Sequence, residues 1–319
     1  MRILVVGAGA IGGYYGARLL QAGADVTFLV RPRRAAWLAS NGLQVRSALS
    51  DFTAPVATIS REQLKPEYDL VVLSCKAYDL DATLEDIGPA MKGGAAVLPF
   101  LNGLSVYDRL DELYGRDRVL GGVAYIAVML DSQGVIRHLG DADVVVTGVR
   151  SDASAPVAQA FHALIAQSAG VRNLSTNVEH ALWNKWVLLA SGATMTCLMR
   201  GTVGEILATR DGTALMQQAM AECRAVATAE GARLSAEDVQ RLEARLLDTQ
   251  STWAASMMRD IAQDAPRIEA GAIVCDMLER AERHGVEASL LRTAYCHLQV
   301  YERRHAMAVA ERERAGLRG

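Results

Sequence analysis

The sequence predicts an α/β protein in which an N-terminal doubly wound parallel sheet is followed by an all-α C-terminal part. In the first 150 residues, short β-branched runs alternate with helical stretches, which is the pattern of βαβ units. After about residue 175, apolar residues recur at helical spacing and β-branched clusters disappear. At 319 residues the chain exceeds the usual size of one domain. We therefore expect two domains, residues 1–175 and residues 176–319.

The individual elements follow from the same patterns. The clearest helix is expected over Gly12 to Ala22, and the parallel strands over Ile3–Val6, Val26–Val30, Leu70–Ser74 and Ala95–Leu98. Three later runs are expected to extend this sheet at one edge, with turns at Gly134 and Gly140-Asp141: Val119–Val128, Val135–His138 and Val144–Val149. A last strand is expected at Val171–Leu174. Beyond it, a helix capped by Thr176 or Asn177 should bury the uncharged run Trp186–Met199, which is too short to cross a membrane.

Composition narrows the class of function. The net charge is -3 and the pI is about 6.1, with acids and bases interspersed, so no basic field would attract nucleic acid or an anionic membrane. The five cysteines are scattered and contain no CxxC pair, which indicates neither a disulfide framework nor a metal site. Arg2 before an apolar run could open a secretory signal, but the glycine spacing favours another interpretation. We expect a cytoplasmic protein with small-molecule partners, and a homodimer is compatible with the sequence.

The first strand leads into a glycine-rich turn, Gly7-Ala8-Gly9-Ala10-Ile11-Gly12. GxGxxG alone is a weak pattern, but here it follows a strand and opens a helix, which is the setting of a Rossmann dinucleotide site. The first glycine would make the tight turn, the second would admit the pyrophosphate, and the third would let the helix pack on the strand. The N-terminal end of the helix would face the phosphates. A glycine-rich turn without a ligand is the simpler alternative.

The end of the second strand bears on which dinucleotide binds. An NAD enzyme usually has an acid there for the ribose 2′-hydroxyl, whereas this chain reads Val30-Arg31-Pro32-Arg33-Arg34. Arg31 can form charge-assisted hydrogen bonds to a 2′-phosphate. The sequence therefore favours NADPH, against the alternative of a solvated basic loop.

Three further polar residues are candidates for ligand contact. Lys76 and Asn102 each follow a predicted strand, at the sheet edge where open α/β sheets bind ligands, although either could cap a turn. Lys185 is the last charge before the uncharged helical run. A lysine there can simply reach solvent, or it can donate a proton to a carbonyl that is being reduced. Spacing alone favours the solvent-reaching interpretation.

Taken together, the order of these motifs resembles the ketopantoate reductase (2-dehydropantoate 2-reductase) family along nearly the whole chain. The matching elements are the N-terminal GxGxxG, Arg31, Lys76-Ala77, Asn102-Gly103, Leu182-Trp183-Asn184-Lys185, Ser256-Met257, and Glu269 with His284-Gly285. The resemblance implies NADPH-dependent reduction of a 2-oxo acid, with Lys185 protonating the carbonyl oxygen. It implies that Glu269 orients the lysine, that Ser256 binds substrate, and that Asn102 positions nicotinamide and substrate. From the residues alone, Glu269 would be a helix N-terminal acid.

The chain departs from the family pattern on the substrate side. Where typical members have asparagine, it has Leu189, Ala193 and Val203, and the residue three before the serine, which is also often asparagine in the family, is Trp253. The identity of the oxo acid is therefore open. Two other functions stay open as well. One is a β-hydroxyacid dehydrogenase, for which Gly121-Gly122 would be the substrate loop. The other is a non-catalytic NADP sensor.

Overall fold

The N-terminal sheet is parallel throughout. The computed structural model describes the backbone of residues 1–316 and the side chains of residues 1–309 and of Glu311. Five strands form the first sheet in the order β5-β2-β1-β6-β7, which confirms the predicted Rossmann-type sheet. Their bounds are β1 Arg2–Val6, β2 Asp25–Leu29, β5 Ala57–Ile59, β6 Leu70–Leu73 and β7 Ala96–Pro99. The helices α1 Ala10–Gln21, α2 Pro32–Asn41, α3 Leu80–Met91 and α4 Ser105–Tyr114 follow β1, β2, β6 and β7.

Apart from one parallel bridge between Val119 and Val97 of β7, the three later runs do not extend this sheet, so that expectation is wrong. The strands β8 Gly121–Leu130, β9 Ile136–Gly148 and β10 Val171–Ser175 join β3 Leu43–Arg46 and β4 Phe52–Ala54 in a second five-stranded sheet. The turn expected at Gly140-Asp141 does not form, because both residues lie within β9. Opposite β8, the segment Leu139–Ala142 bulges where the pairing shifts between Ile126 and Val128, and Gly140 has a φ of +102°. A glycine and an aspartate therefore mark a β-bulge here rather than a chain reversal.

The C-terminal part is helical as expected. Helix α5 Ala155–Ile165 precedes β10 and still belongs to the N-terminal part. The later helices are α6 Val178–Met199, α7 Val203–Leu207, α8 Gly212–Ala229, α9 Ala236–Leu246, α10 Ser256–Ala262, α11 Asp276–Arg283 and α12 Ser289–Gly316. Asn177 caps α6, because its side-chain oxygen accepts the His180 N–H at 3.2 Å. A π-helical turn at Gly271–Cys275 leads directly into α11. The buried Glu222 side chain accepts the Leu290 and Leu291 N–H groups and so caps α12.

The chain divides into two compact units. The first contains Met1–Leu101 and Val106–Leu182, and the second contains Asn102–Ser105 together with the chain from Trp183 onward. The domain boundary expected at residue 175 stays a prediction. Between residues 1 and 316, no helix combines the length and the hydrophobicity that a membrane crossing requires.

Candidate active site

The glycine turn after β1 has the geometry that its spacing predicts. Gly7 has a φ of +90°, a conformation that glycine adopts without strain. A Cβ atom at Gly12 would lie 2.1 Å from Ser74 Oγ and 2.3 Å from the Gly7 carbonyl oxygen, so only glycine lets α1 approach β1 and β6 this closely. A Cβ atom at Gly9 would meet nothing within 4 Å. Gly9 also begins α1 without a side-chain cap and without an acid in the first turn. The turn therefore leaves room for a phosphate group in front of the helix.

Two residues that the motif did not indicate hold this turn in place. Ser74 Oγ donates to the Val6 carbonyl oxygen at 2.8 Å. Arg34 Nε donates to the Ala8 carbonyl oxygen at 3.0 Å, and its Nη1 donates to the Gly134 carbonyl oxygen at 3.0 Å. The Arg34 guanidinium also lies 4.5 Å from the centre of the Trp37 ring. Neither contact is encoded in local spacing, because each joins segments far apart in the sequence.

Arg31 and Lys76 lie in the same unit as the glycine turn. Arg31 is the residue before α2 and lies two residues after the end of β2, and its side chain is 84% exposed. Its Nη2 lies 3.4 Å from Asp79 Oδ2, a partner that the sequence did not indicate. Lys76 follows β6 and precedes a short 3-10 helix at Ala77–Asp79, where it is half-buried. Both residues therefore follow parallel strands of the first sheet at their carboxyl ends, as expected.

The second unit contains Lys185 and Glu269. Lys185 lies on α6 and is partly buried, and Glu269 is 6% exposed at the start of the helical turn that precedes α11. Burial lowers the pKa of the Lys185 ammonium to about 8, and the negative charge of Glu269 opposes that shift. A lysine that simply reached solvent would keep a pKa near its usual value of about 10.4. Lys185 thus has the environment of a proton donor for neutral or mildly alkaline conditions.

The segment Asn102–Ser105 belongs to the same unit. Asn102 is half-buried, and Gly103 has a φ of +87°. A Cβ atom at Gly103 would lie 2.2 Å from the Ala272 carbonyl oxygen, so the segment rests on the π-helical turn that follows Glu269. In the same turn, Trp186 Nε1 donates to the Ile273 carbonyl oxygen at 3.1 Å. The turn therefore contacts the sequence neighbours of Asn102 and Lys185, and Glu269 lies two residues before it.

Ser256 is the first residue of α10 and is half-buried. The chain before it packs on the later part of α6. The Ala255 N–H lies 3.4 Å from Thr196 Oγ1, and a Cβ atom at Gly192 would lie 2.5 Å from the Trp253 ring. Trp253, at one of the positions that depart from the family pattern, thus fills the space beside a helix glycine. The candidate residues form two groups: the glycine turn, Arg31 and Lys76 in one unit, and Asn102, Lys185, Ser256 and Glu269 in the other.

Two further observations concern a possible substrate loop and a possible metal site. Gly121 and Gly122 begin β8, where Cβ atoms would collide with Val178 and Leu98, so they do not form an open substrate loop. Among the described residues, no cluster of three or more His, Cys, Asp or Glu side chains could hold a metal ion.

Comparisons with known proteins agree with this architecture. Residues 3–150 match the family model of ketopantoate reductase PanE/ApbA, and residues 177–302 match its C-terminal model. The uncharacterized oxidoreductase YkpB of Bacillus subtilis is 32% identical, covering 95% of this chain and 99% of the relative. The 2-dehydropantoate 2-reductase of Geobacter metallireducens is 29% identical, with a TM-score of 0.84 over 94% of this chain and 99% of that one.

A third comparison shows the fold alone. A structure of D-mandelate dehydrogenase with NADH and anilino(oxo)acetate has a TM-score of 0.85 at 20% identity, over 96% of this chain and 99% of that one. Together, the two family models and the relatives that match over nearly their full length show the family. This chain belongs to the ketopantoate reductase family of oxidoreductases.

Proposed function

We propose that this protein reduces a 2-oxo acid to a 2-hydroxy acid with NADPH. The observation that carries the proposal is the partly buried Lys185 on α6, whose pKa is lowered to about 8 by desolvation and is raised in part by the charge of the buried Glu269. A lysine in that state is still mostly protonated at neutral pH, and it gives up its proton more readily than a solvated lysine. Its charge also attracts the carboxylate of an oxo acid.

The glycine turn is the proposed binding site of the cofactor. The open space at Gly9 and the uncapped start of α1 fit a pyrophosphate, which would contact the backbone from Gly7 to Gly12, including Ala8, Ala10 and Ile11. Arg31 would bind the 2′-phosphate, and Lys76 would add a second positive charge near the cofactor. When bound, the nicotinamide supplies the hydride for the carbonyl carbon.

The residues of the second unit would carry the proton and hold the substrate. Lys185 Nζ donates a proton to the carbonyl oxygen as that oxygen gains electron density, and the neutral amine then takes a proton from solvent. Glu269 keeps the ammonium in place and raises the pKa that burial lowers. Asn102 would position the reacting groups, and Ser256 would bind the substrate carboxylate.

The substrate is proposed to be 2-dehydropantoate or a related branched 2-oxo acid. Leu189 is half-buried and Ala193 is 1% exposed on the helix that carries Lys185, so neither can replace the amides of typical members. Ser191 Oγ donates its hydrogen to the Val187 carbonyl oxygen at 2.7 Å, so it could serve a substrate hydroxyl only as an acceptor. A substrate hydroxyl buried against such a wall would lose about 1 to 3 kcal/mol. A branched apolar 2-oxo acid such as 2-oxoisovalerate should therefore be accepted too.

A steady-state assay tests the proposal. We expect NADPH to be oxidised in the presence of at least one member of a panel of 2-oxo acids, including ketopantoate, 2-oxoisovalerate and a longer branched homologue. Tight NADPH binding without turnover on the whole panel would favour the sensor and contradict the proposal. Turnover only with β-hydroxy acids and oxidised cofactor would favour the dehydrogenase.

A further inference from the structure

One carboxylate outside the proposed catalytic set contacts the Asn102 segment directly. Asp276 Oδ2 accepts the backbone N–H of Ser105 at 3.0 Å, across 171 residues of sequence. Ser105 is the first residue of α4, so its N–H has no partner within the helix. Together with the close contact of Gly103 on Ala272, this bond fixes the backbone on which Asn102 stands.

Asp276 is itself held by a buried ion pair. Arg280 Nε donates to Asp276 Oδ1 at 2.9 Å, and Arg280 Nη1 donates to Glu230 Oε2 at 2.7 Å. Asp276 and Arg280 are 7% and 6% exposed. The guanidinium also lies 5.4 Å from the centre of the Trp186 ring, next to Lys185 in the sequence. Because a buried ion pair costs desolvation energy, it is better explained as fixing a geometry than as a source of stability.

The π-helical turn Gly271–Cys275 lies between Glu269 and Asp276 in the sequence. The Ile273 N–H donates to the Glu269 carbonyl oxygen at 3.2 Å, and the Ile273 carbonyl oxygen accepts from Nε1 of Trp186, the sequence neighbour of Lys185. Asp276 follows the turn as the first residue of α11 and accepts the Ser105 N–H. A π-helical turn of this kind often occurs at functional sites.

We propose that Asp276, held by Arg280, is a positioning residue that fixes Asn102 relative to Lys185 and Glu269. This inference rests on the proposed function for its catalytic meaning. A displacement of about 1 Å in a reacting geometry can lower a rate about a hundredfold. Loss of the Asp276 contact should therefore lower kcat while changing cofactor affinity little, because the proposed cofactor turn lies in the other unit.

The main experiment compares Asp276→Asn with Glu230→Gln. Both substitutions remove one charge that pairs with Arg280, and both should lower the melting temperature. Only Asp276→Asn weakens the acceptor of the Ser105 N–H. We expect kcat to fall about ten- to hundredfold in Asp276→Asn and to change less than about threefold in Glu230→Gln, with the NADPH Kd similar in both. Equal kcat values in the two variants would overturn the proposal.

A second pair of variants leaves the ion pair intact. Ser105→Pro removes the N–H donor at a first helical position, where proline is tolerated, and Ser105→Ala keeps the donor. We expect the proline variant to reproduce the kcat loss of Asp276→Asn and the alanine variant to behave as wild type. Because both single changes act on the same Asp276–Ser105 hydrogen bond, the double variant Ser105→Pro, Asp276→Asn should lose no more kcat than Asp276→Asn alone. Fully multiplied losses would contradict the proposal.

Backbone hydrogen exchange separates this proposal from the proposed function. In Asp276→Asn the amides of residues 102–105 should exchange faster than in wild type, and in Glu230→Gln they should not. If wild type turns over no 2-oxo acid, the proposed function fails, whereas unchanged exchange in Asp276→Asn overturns the positioning role itself.

Discussion

The glycine turn from Gly7 to Gly12 and the lysine cluster, which comprises Lys185, Glu269, Asp276 and Arg280, obtain their geometry in opposite ways. In the turn, the decisive feature is the lack of side chains, since a Cβ atom at Gly12 would lie 2.1 Å from Ser74 Oγ and one at Gly9 would meet nothing. Around Lys185, the decisive features are buried charged side chains from distant parts of the chain. The first arrangement prepares a binding surface, and the second changes the chemistry of a single group. Variants of the glycine turn should therefore lower mainly cofactor affinity, and variants around Lys185 should lower mainly kcat.

The largest effect is expected from Lys185→Met. Removing a general acid should lower kcat about a hundredfold to ten-thousandfold, while the NADPH Kd should change little. Lys92→Met is the matched control, because Lys92 is an exposed lysine at the end of α3. Steady-state kinetics and a fluorescence titration with NADPH measure both quantities. A near-normal kcat in Lys185→Met would contradict the proposed role of Lys185 as the proton donor.

The glycine turn should separate stability from binding. Gly12→Ala forces a Cβ atom into Ser74 and the Gly7 carbonyl, so both the melting temperature and NADPH affinity should fall. Gly9→Ala enters open space, so the melting temperature should stay near that of wild type while NADPH affinity falls at least about tenfold. Gly88→Ala, in open space within α3, is the control. Unchanged NADPH affinity in Gly9→Ala would mean that no phosphate approaches this turn.

Cofactor preference should depend on Arg31. We expect Arg31→Ala to lower the ratio of kcat/KM for NADPH over NADH by about tenfold, because a charge-assisted bond of an exposed arginine is lost. Arg33→Ala removes the same charge from a neighbouring exposed side chain and should leave the ratio near its wild-type value. Equal losses in both variants would indicate a general charge effect, and an unchanged ratio in Arg31→Ala would contradict the assignment.

The smallest effect concerns the apolar wall beside Lys185. The ratio of kcat/KM for ketopantoate over 2-oxoisovalerate should stay below about a hundredfold, or about 2.7 kcal/mol. Leu189→Asn should raise this ratio by restoring an amide where typical members have one, whereas Leu188→Asn, one position along α6, should not. A wild-type ratio above about a hundredfold would mean that the substrate hydroxyl has a dedicated partner.

The same contrast explains how much the sequence could predict. The glycine turn is local, so the spacing of Gly7, Gly9 and Gly12 after a strand was sufficient, and the structure reproduces the expected geometry. The prediction of a turn at Gly140-Asp141 was wrong because glycine and aspartate occur both in β-bulges and in chain reversals. The prediction that β8 and β9 extend the first sheet was wrong for a related reason. Local sequence patterns do not indicate which distant segments pair with a strand.

Local sequence patterns indicated only one member of the lysine cluster, Lys185. The desolvation of Lys185 depends on residues distant in sequence, and only the family resemblance indicated Glu269 as its partner. The sequence did not indicate three further residues, Asp276, Arg280 and Arg34. Each of them acts through a hydrogen bond to the backbone or to a charged side chain, and the spacing of residues does not encode such a bond. A charged residue followed by a long uncharged helical run was the one local signal for Lys185.

We propose above all that the partly buried Lys185 donates the proton, with its pKa set by desolvation and by the opposing charge of Glu269. The most direct test is the pH dependence of kcat/KM for wild type and for Glu269→Gln between about pH 6 and about pH 10. The acid must be protonated to act, so wild-type activity should be full below a pKa of about 8 and should fall above it. Removing the Glu269 charge lowers the pKa of Lys185 further, so the fall should begin at lower pH in the variant. A flat profile in wild type, or a shift of the fall to higher pH in Glu269→Gln, would contradict the account.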